Sequence, residues 1–391
     1  MSSNKETTSM RVTRGWKSSV AMATVSASVL LGLQAAPAAA ETPGMLISAT
    51  PQADGWRPMP NGSVITYWTA GSDGTPKPAS GALFIPNGTP PPGGWPVIAF
   101  DHGTTGLGRG CGGESDPSTA PNSHWHAEED DIMQRLVGQG FAVVAPDYLG
   151  LGLFDTGPHP YLELRTEATA TIDILRAARS AHPELSRTWA AMGLSQGGQA
   201  ALGAGHLQSS YAADLDYRGT ITVDPESDVE KVLPIASPAI PTIPGTAETL
   251  GFVSSIFAGF RAARPDIDFN QYLSPVGRKL LDDIDTMCKP EIEARVDGVG
   301  IGELLSKPLS DSRVRAAYES YLTVPTSGYD APILLLANVT DTTVPSPLHA
   351  TLAAQFAANG VDFQTVPGTG THTQLNPQMW SAIDAFLARV R

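Results

Sequence analysis

The pentapeptide Gly193-Leu194-Ser195-Gln196-Gly197 decides the fold of this 391-residue chain. An apolar run, Thr188-Trp189-Ala190-Ala191-Met192, leads into it like a buried strand. Residues 198–208 are rich in Ala, Gly and Leu and lead out of it like a helix. A strand, a tight G-x-S-x-G turn and a helix form a nucleophile elbow, and the glycines are needed because the turn is too tight for side chains on both sides of the serine. We therefore predict that Ser195 is a nucleophile; the alternative is a structural glycine-rich turn.

Strand-like and helix-like segments alternate around this elbow. Buried strands are predicted at 96–100, 141–145, 188–192, 219–223, 332–337 and 363–366, and helices from about 127 and at 166–179, 198–208, 347–359 and 376–390. Residues 64–68 and 81–85 indicate an antiparallel edge that precedes them. Strands that alternate with helices are typical of an α/β fold with a doubly wound, mostly parallel sheet.

A long segment without clear strands interrupts this alternation. Residues 226–328 contain proline-rich and helical pieces, including a helix candidate at 250–260, where Phe252, Ile256 and Phe260 share one face. Ligands bind at the carboxyl ends of the strands in such sheets. We therefore expect a core made of residues 41–225 and 329–391, with 226–328 as a helical cap over the site. The shared face is interpreted as packing inside the cap, with a lipid-facing tunnel as the alternative.

A serine hydroxyl is a weak nucleophile and needs a base, for which histidine has a suitable pKa. His372 is our candidate because it lies in a loop after the last predicted strand, at the carboxyl-end edge of the sheet. His182 and His349 are predicted to lie on helix surfaces, and His206 lies within the elbow helix. We therefore predict that His372 takes the proton of Ser195.

The base needs an acid on its other ring nitrogen, which fixes the tautomer and stabilises the imidazolium. Asp341 follows the strand predicted at 332–337, so it also lies at the carboxyl-end edge. Asp224 and Glu226 follow the preceding strand and remain alternatives. We predict Asp341 as the acid; otherwise it is a turn aspartate that binds local backbone N–H groups.

The negative oxygen of a tetrahedral intermediate needs preorganised donors. One is expected from the backbone N–H of Gln196, directly after the nucleophile, and the other from Thr104 in the loop after the strand that ends at Asp101. The hydroxyl of Thr104 would add a third donor. His102 in the same loop is expected to hold the loop by hydrogen bonding, and the alternative for the whole segment is a flexible glycine turn.

These residues resemble the α/β-hydrolase superfamily and, within it, the secretory lipase family of the lipase A type. The resemblance rests on Asp101-His102-Gly103-Thr104-Thr105-Gly106, Pro146-Asp147-Tyr148-Leu149-Gly150 and the elbow, followed by Asp341 and His372 in the usual order. It implies a secreted serine hydrolase that acts on esters, with a helical cap that shapes an acyl tunnel. Some relatives are esterases, so a lipid substrate does not follow. A secreted peptidase and a catalytically silent binding protein remain alternatives.

The first 40 residues have the features of a secretory signal peptide. A basic segment with Lys5, Arg11, Arg14 and Lys17 precedes an apolar stretch at about 20–33 and an A-x-A pattern that ends at Ala40. In an exported protein the two cysteines, Cys111 and Cys288, most simply form a disulfide, the alternative being two separate thiols. We therefore predict secretion, with cleavage after about Ala40.

The net charge of −14 argues against nucleic acid and anionic membrane surfaces as partners. The sequence contains neither a phosphate-binding loop motif nor a Rossmann fingerprint, so we expect no nucleotide cofactor. His124 and His126 precede a run of acids at 128–131, but those acids suit the first turn of a helix, and we predict no metal. The expected partner is a small-molecule or lipid ester; transient contact with a lipid interface and the oligomeric state stay open.

Overall fold

The computed structural model describes residues 41–118 and 123–391, without the side chains of 123–126. The predicted signal peptide at 1–40 and the side chains of His124 and His126 therefore lie outside the described residues. In the described part of the chain, no helix combines the length and the hydropathy needed to span a membrane.

Nine strands of the described chain form one twisted sheet, in the order β1-β2-β3-β5-β4-β6-β7-β8-β9. The strands are β1 (Leu46–Pro51), β2 (Gly62–Ala70), β3 (Pro76–Phe84), β4 (Trp95–Asp101), β5 (Ala142–Pro146), β6 (Leu185–Leu194), β7 (Asp216–Val223), β8 (Ile333–Asn338) and β9 (Phe363–Gly368). The pairs from β1 to β3, and β3 with β5, are antiparallel, whereas the pairs from β5 through β9 are parallel. The predicted antiparallel edge on a mostly parallel sheet is confirmed.

Helices cover the sheet and fill the segment between β7 and β8. They are α1 (Ser123–Gly138), α2 (Leu164–Ala181), α3 (Gln196–Tyr211), α4 (Val229–Val232), α5 (Ala247–Ala263), α6 (Pro275–Ile284), α7 (Lys289–Val296), α8 (Ile301–Leu304), α9 (Ser312–Leu322), α10 (Ser346–Ala358) and α11 (Pro377–Leu387). The prediction that α1 starts near residue 127 with acids in its first turn was wrong, because the helix already begins at Ser123. The acids at 128–131 therefore lie beyond the first turn, where Glu129 is buried.

The helices between β7 and β8, here called the helical insertion (α4 to α9), have an apolar core of their own. Phe257 packs against Phe269 with ring centroids 5.3 Å apart, and Phe260 lies 4.4 Å from Tyr318. Ile256 is buried in the same cluster, whereas Phe252 is only partly buried against it. Packing inside the insertion thus accounts for Ile256 and Phe260, but not fully for Phe252.

The loop after β4, residues 102–112, is fastened to the α6–α7 junction of the helical insertion. A disulfide joins Cys111 to Cys288, as predicted. The backbone N–H of Leu107 donates to Met287 O at 2.9 Å, and that of Lys289 donates to Thr105 O at 2.7 Å. A Cβ on Gly106 would lie 2.5 Å from the Cα of Cys288, so the two backbones meet where only glycine fits. The insertion therefore contacts the segment that is predicted to carry the oxyanion donor.

Candidate active site

Ser195 lies on a strained turn between β6 and α3. Its φ of 56° and ψ of −121° are unusual for a residue with a side chain, and such strain is concentrated at functional sites. A Cβ on Gly193 would lie 2.0 Å from Gly197 O, and one on Gly197 would lie 1.9 Å from Asp101 O. Both elbow glycines are therefore required by close backbone approach, as the sequence motif predicts.

The elbow brings Ser195 to the edge where β8 and β9 end. His372 Nε2 lies 2.8 Å from Ser195 Oγ, and His372 Nδ1 lies 2.6 Å from Asp341 Oδ2. Ser195 is 6% exposed and Asp341 is buried, so these hydrogen bonds are largely shielded from water. The three residues selected from the sequence are therefore in hydrogen-bond contact, in the arrangement that activates a serine hydroxyl.

Burial and hydrogen bonding act in opposite directions on these two titratable groups. Burial alone would lower the pKa of His372, but the hydrogen bond and the charge of Asp341 outweigh it, so the pKa lies above its usual value. Burial would raise the pKa of Asp341, yet hydrogen bonds from His349 and His372 hold it well below its usual range. Asp341 is therefore ionised at neutral pH, and its charge favours a proton on His372.

The prediction that His349 lies on a helix surface was wrong. His349 is only 3% exposed, and its Nε2 lies 3.2 Å from Asp341 Oδ2, the same oxygen that His372 contacts. Its Nδ1 has no hydrogen-bond partner among the described residues. An ionised carboxylate can only accept, so Nε2 of His349 is a second donor to Asp341. The spacing of His349, Leu352 and Phe356 on the buried face of α10 is the signal that would have found it.

Asp224, an alternative acid in the sequence, fixes the loop that carries His372. Its Oδ2 accepts hydrogen bonds from Asn338 Nδ2 and from the backbone N–H of Thr373, both at 2.8 Å, and its Oδ1 accepts from Asn338 N at 2.7 Å. Asp224, Asp341 and His349 bring potential ligand atoms within 4.8 Å of one another. Because protein N–H groups already occupy these carboxylate oxygens, we interpret the cluster as support for Asp341 and not as a metal site.

Glu226, the other alternative acid, contacts the nucleophile itself. Its Oε1 lies 3.1 Å from Ser195 Oγ. Burial raises the pKa of Glu226 to about 7, although the nearby charge of His372 acts in the opposite direction. The sequence placed Glu226 at the correct edge of the sheet but gave no indication that its carboxyl group faces the serine.

The loop after β4 passes beside Ser195. The backbone N–H of Gly103 donates to Glu129 Oε1 at 2.8 Å, so a buried acid of α1 positions this loop. The hydroxyl of Thr104 is paired with the hydroxyl of Tyr161 at 2.8 Å. His102 Nδ1 lies 2.7 Å from Gly103 O, in agreement with the expected loop-holding role. The predicted third donor of Thr104 therefore already has a protein partner.

The side chain of Gln196 is held beneath the elbow by two buried residues of the core. Its Nε2 lies 2.7 Å from both His159 Nε2 and Glu167 Oε1. Burial lowers the pKa of His159 to about 3, so the ring is neutral and accepts from the amide, while its Nδ1 donates to Leu149 O at 2.9 Å. This network fixes the first residue of α3, whose backbone N–H is the other predicted oxyanion donor.

A cleft of about 730 Å³ opens beside Ser195 and His372. Its walls come from the loop after β4, from α1, from the segment around Leu375 and Trp380, and from Phe252 and Lys289 of the helical insertion. Most of the lining side chains are polar or charged, and Lys289 lies 5.0 Å from the ring of Phe252. Phe252 thus borders the cleft. Of the three residues on the predicted helix face, it is the one that lines the cleft, whereas Ile256 and Phe260 are buried inside the helical insertion.

The sheet, the elbow and the strand-end cluster define an α/β-hydrolase. Comparison with solved structures agrees with this fold. Candida antarctica lipase A in its closed state has a TM-score of 0.71 at 18% identity, over 89% of this chain and 83% of that chain. A rice cell wall degrading esterase from Xanthomonas oryzae has a TM-score of 0.68 at 21% identity, over 89% and 97%.

Sequence comparison identifies the family. The secretory lipase family model matches residues 122–376, which is more than half of the chain. The chain belongs to the secretory lipase family, and it is therefore a hydrolase of the lipase and esterase kind. No curated protein matches the sequence.

Proposed function

We propose that the protein is a secreted serine hydrolase that cleaves carboxylic esters through an acyl-enzyme. The observation that carries the proposal is the pair of hydrogen bonds at His372, 2.8 Å to Ser195 Oγ and 2.6 Å to Asp341 Oδ2. No cofactor is needed for this reaction, because the serine, the imidazole and the carboxylate supply the nucleophile, the base and the counter-charge.

The proposed reaction has two halves. Ser195 Oγ attacks the ester carbonyl carbon while His372 accepts the serine proton, and the backbone N–H groups of Thr104 and Gln196 bind the oxygen that becomes negative. His372 then gives the proton to the leaving alcohol, and the acyl group stays on Ser195. Water attacks this ester in the second half, its proton passes through His372 to Ser195, and the acid is released.

The lining of the cleft combines apolar surface with many polar side chains. Thirteen of its lining residues carry polar or charged side chains, and the apolar ones include Phe252 on one wall and Leu375 and Trp380 together on another. A long alkyl chain would leave these polar groups without water, which costs free energy. We therefore propose an esterase preference within the lipase family.

Export is part of the proposal. The secretory lipase match and the Cys111–Cys288 bridge support it, because disulfides persist in oxidising compartments. The segment 1–40 would be the cleaved signal peptide.

Replacing the nucleophile tests the mechanism. Ser195→Ala should lower kcat/KM for p-nitrophenyl esters by about 10⁴-fold or more, since the residual groups only bind and polarise the substrate. A fluorophosphonate probe should label the wild type and the control Ser210→Ala, a serine near the far end of α3, but not Ser195→Ala. Undiminished turnover by Ser195→Ala would refute the mechanism.

The same assay separates the substrate classes. An acyl series from acetate to palmitate should show the highest kcat/KM with the short esters. Faster cleavage of aminoacyl anilides than of every ester would favour the peptidase alternative instead.

A further inference from the structure

The Ser195 hydroxyl has two partners that compete for one proton. Glu226 Oε1 lies 3.1 Å from Ser195 Oγ, and His372 Nε2 lies 2.8 Å from the same atom. Glu226 is 7% exposed, and its Oε2 has no hydrogen-bond partner among the described residues. A hydroxyl has a single proton and two lone pairs, so Ser195 cannot donate to both neighbours at once.

We propose that Glu226 is an additional catalytic residue, whose protonated form directs the Ser195 proton to His372 and whose ionised form competes for it. This inference rests on the ester hydrolysis proposed above. It gives Glu226 a role in the reaction, whereas the mechanism with Ser195, His372 and Asp341 alone does not involve this carboxyl group.

The two protonation states differ in what they can do for the nucleophile. A protonated Glu226 donates its O–H to a lone pair of Ser195 Oγ, so the serine proton is left for His372. An ionised Glu226 can only accept, and it then binds the serine proton in an unproductive direction. Glu226 keeps its own proton during turnover in the active form. Only the serine proton moves, to His372 and on to the leaving alcohol.

The surroundings of Glu226 raise its pKa toward neutral pH. The titratable groups that face it are His372 from the loop after β9, Glu167 from α2 and Tyr161 from the loop before α2. Burial raises the pKa of Glu226 to about 7, and Glu167 acts in the same direction, whereas His372 opposes them. Both forms of Glu226 are therefore populated near neutral pH.

The active form requires a neutral His372 together with a protonated Glu226. Loss of the proton from His372 gives the rising limb of the pH profile, and loss of the proton from Glu226 gives the falling limb. Without Glu226, a serine hydrolase of this kind would keep its activity on the alkaline side, because neutral His372 is the competent base.

The test is the pH dependence of kcat/KM for p-nitrophenyl butyrate, with product followed at a wavelength that does not depend on pH. The wild type should lose activity above about pH 7. Glu226→Gln, whose amide donates to Oγ at every pH, should lack this falling limb. The ratio of variant to wild type should rise about tenfold between about pH 6 and about pH 9, because a hydrogen bond to a charged acceptor is strong.

Glu230→Gln is the matched control. Glu230 is a buried acid four residues further along, its pKa is also raised by burial, and it makes no hydrogen bond to Ser195. This variant should keep the falling limb of the wild type.

A falling limb that persists in Glu226→Gln, or a wild type that stays fully active at about pH 9, would overturn the inference. If Glu226→Gln does not fold, the wild-type pH profile and the pH dependence of fluorophosphonate labelling test whether Ser195 becomes less reactive as Glu226 ionises. Absence of labelling in the wild type would instead refute the serine mechanism. Normal labelling without a falling limb would refute only the role of Glu226.

Discussion

A single oxygen, Asp341 Oδ2, accepts hydrogen bonds from two histidines. His372 approaches it at 2.6 Å and His349 at 3.2 Å. The other oxygen, Oδ1, accepts from the backbone N–H groups of Thr343 and Val344. The carboxylate is thereby fixed from several directions, and the charge that it presents to His372 is shared with His349. We therefore expect His349 to be a positioning residue that acts through Asp341.

Removing the donor at His349 should change the basicity of His372. In His349→Phe the ring shape is kept, but Asp341 loses a donor and interacts more strongly with His372, so the pKa of His372 should rise. The acid limb of kcat/KM should move to higher pH, and kcat should fall about tenfold because the carboxylate is less firmly held.

His349→Gln is the control for this change, because its amide can still donate to Asp341. It should restore most of the wild-type profile. Equal pH profiles for the Phe and Gln variants would show that His349 contributes packing and that its hydrogen bond to Asp341 does not affect His372.

Strand ends explain which site residues were predictable from the sequence. Ser195, Asp341 and His372 each follow a predicted strand, and parallel strands end at the same edge, so their convergence follows from the pattern. The hydrogen bond of His349 was not predictable, because helix periodicity indicates a buried face but not what that face meets. The contact of Glu226 depends on the path of the chain after β7, which no periodic pattern encodes.

At the scale of elements, the loop after β4 depends on the helical insertion for its position. The Cys111–Cys288 bridge spans 177 residues of sequence and joins this loop to the start of α7. Two backbone hydrogen bonds, from Leu107 to Met287 and from Lys289 to Thr105, lie beside it. The loop that carries the proposed oxyanion donor is therefore held by a segment that is far away in the chain.

Replacing both cysteines should lower the stability of the folded protein. Cys111→Ser with Cys288→Ser should reduce the free energy of unfolding by about 2–5 kcal/mol, since the bridge closes a long loop in the unfolded chain. Urea unfolding measures this change, and a non-reducing peptide map of the wild type provides the control. Unchanged unfolding together with two free thiols in that map would contradict the bridge.

The sequence predicted the elements of the core better than those near the cleft. The parallel strands and the elbow helix have strong apolar patterns, so they were found within a few residues of their bounds, whereas β1 was not predicted and the start of β3 was placed five residues late. The start of α1 was placed too late because a run of acids resembled a first turn. In the folded chain one of those acids, Glu129, binds the backbone of Gly103 instead. A charge run on its own therefore could not separate a helix start from a buried functional acid.

The whole molecule contains several buried acids whose pKa values burial raises. The pKa is about 7 for Glu129, Asp173 and Glu226, and about 8 for Glu167. In the unfolded chain their ordinary values are 4.5 for Glu and 3.8 for Asp. The folded protein thus binds more protons than the unfolded chain between these limits, so stability falls as pH rises through this window.

Thermal unfolding should reflect this linkage. The midpoint should be higher at about pH 6.5 than at about pH 8.5, by about 4 °C or more, as the buried acids lose their protons. His159, whose pKa burial lowers to about 3, opposes this trend only below its ordinary value of 6.5. Asp173→Asn, which is distant from the cleft, should reduce the difference between the two unfolding midpoints. Asp216→Asn, at the surface, is the control and should leave this difference unchanged. A midpoint that rises between these two pH values would contradict the raised pKa values of the buried acids.

The fastening at Gly106 and Cys288 also limits how the entrance can widen. The Cys111–Cys288 bridge and the close backbone contact at Gly106 join one corner of the helical insertion to the core. That corner therefore cannot move away from the core as a rigid body. Phe252 of α5 borders the cleft beside this fixed corner, with its ring 5.0 Å from Lys289 Nζ. Because the backbone beside Phe252 is held in place, we expect the size of the side chain at position 252 to determine which esters the cleft admits.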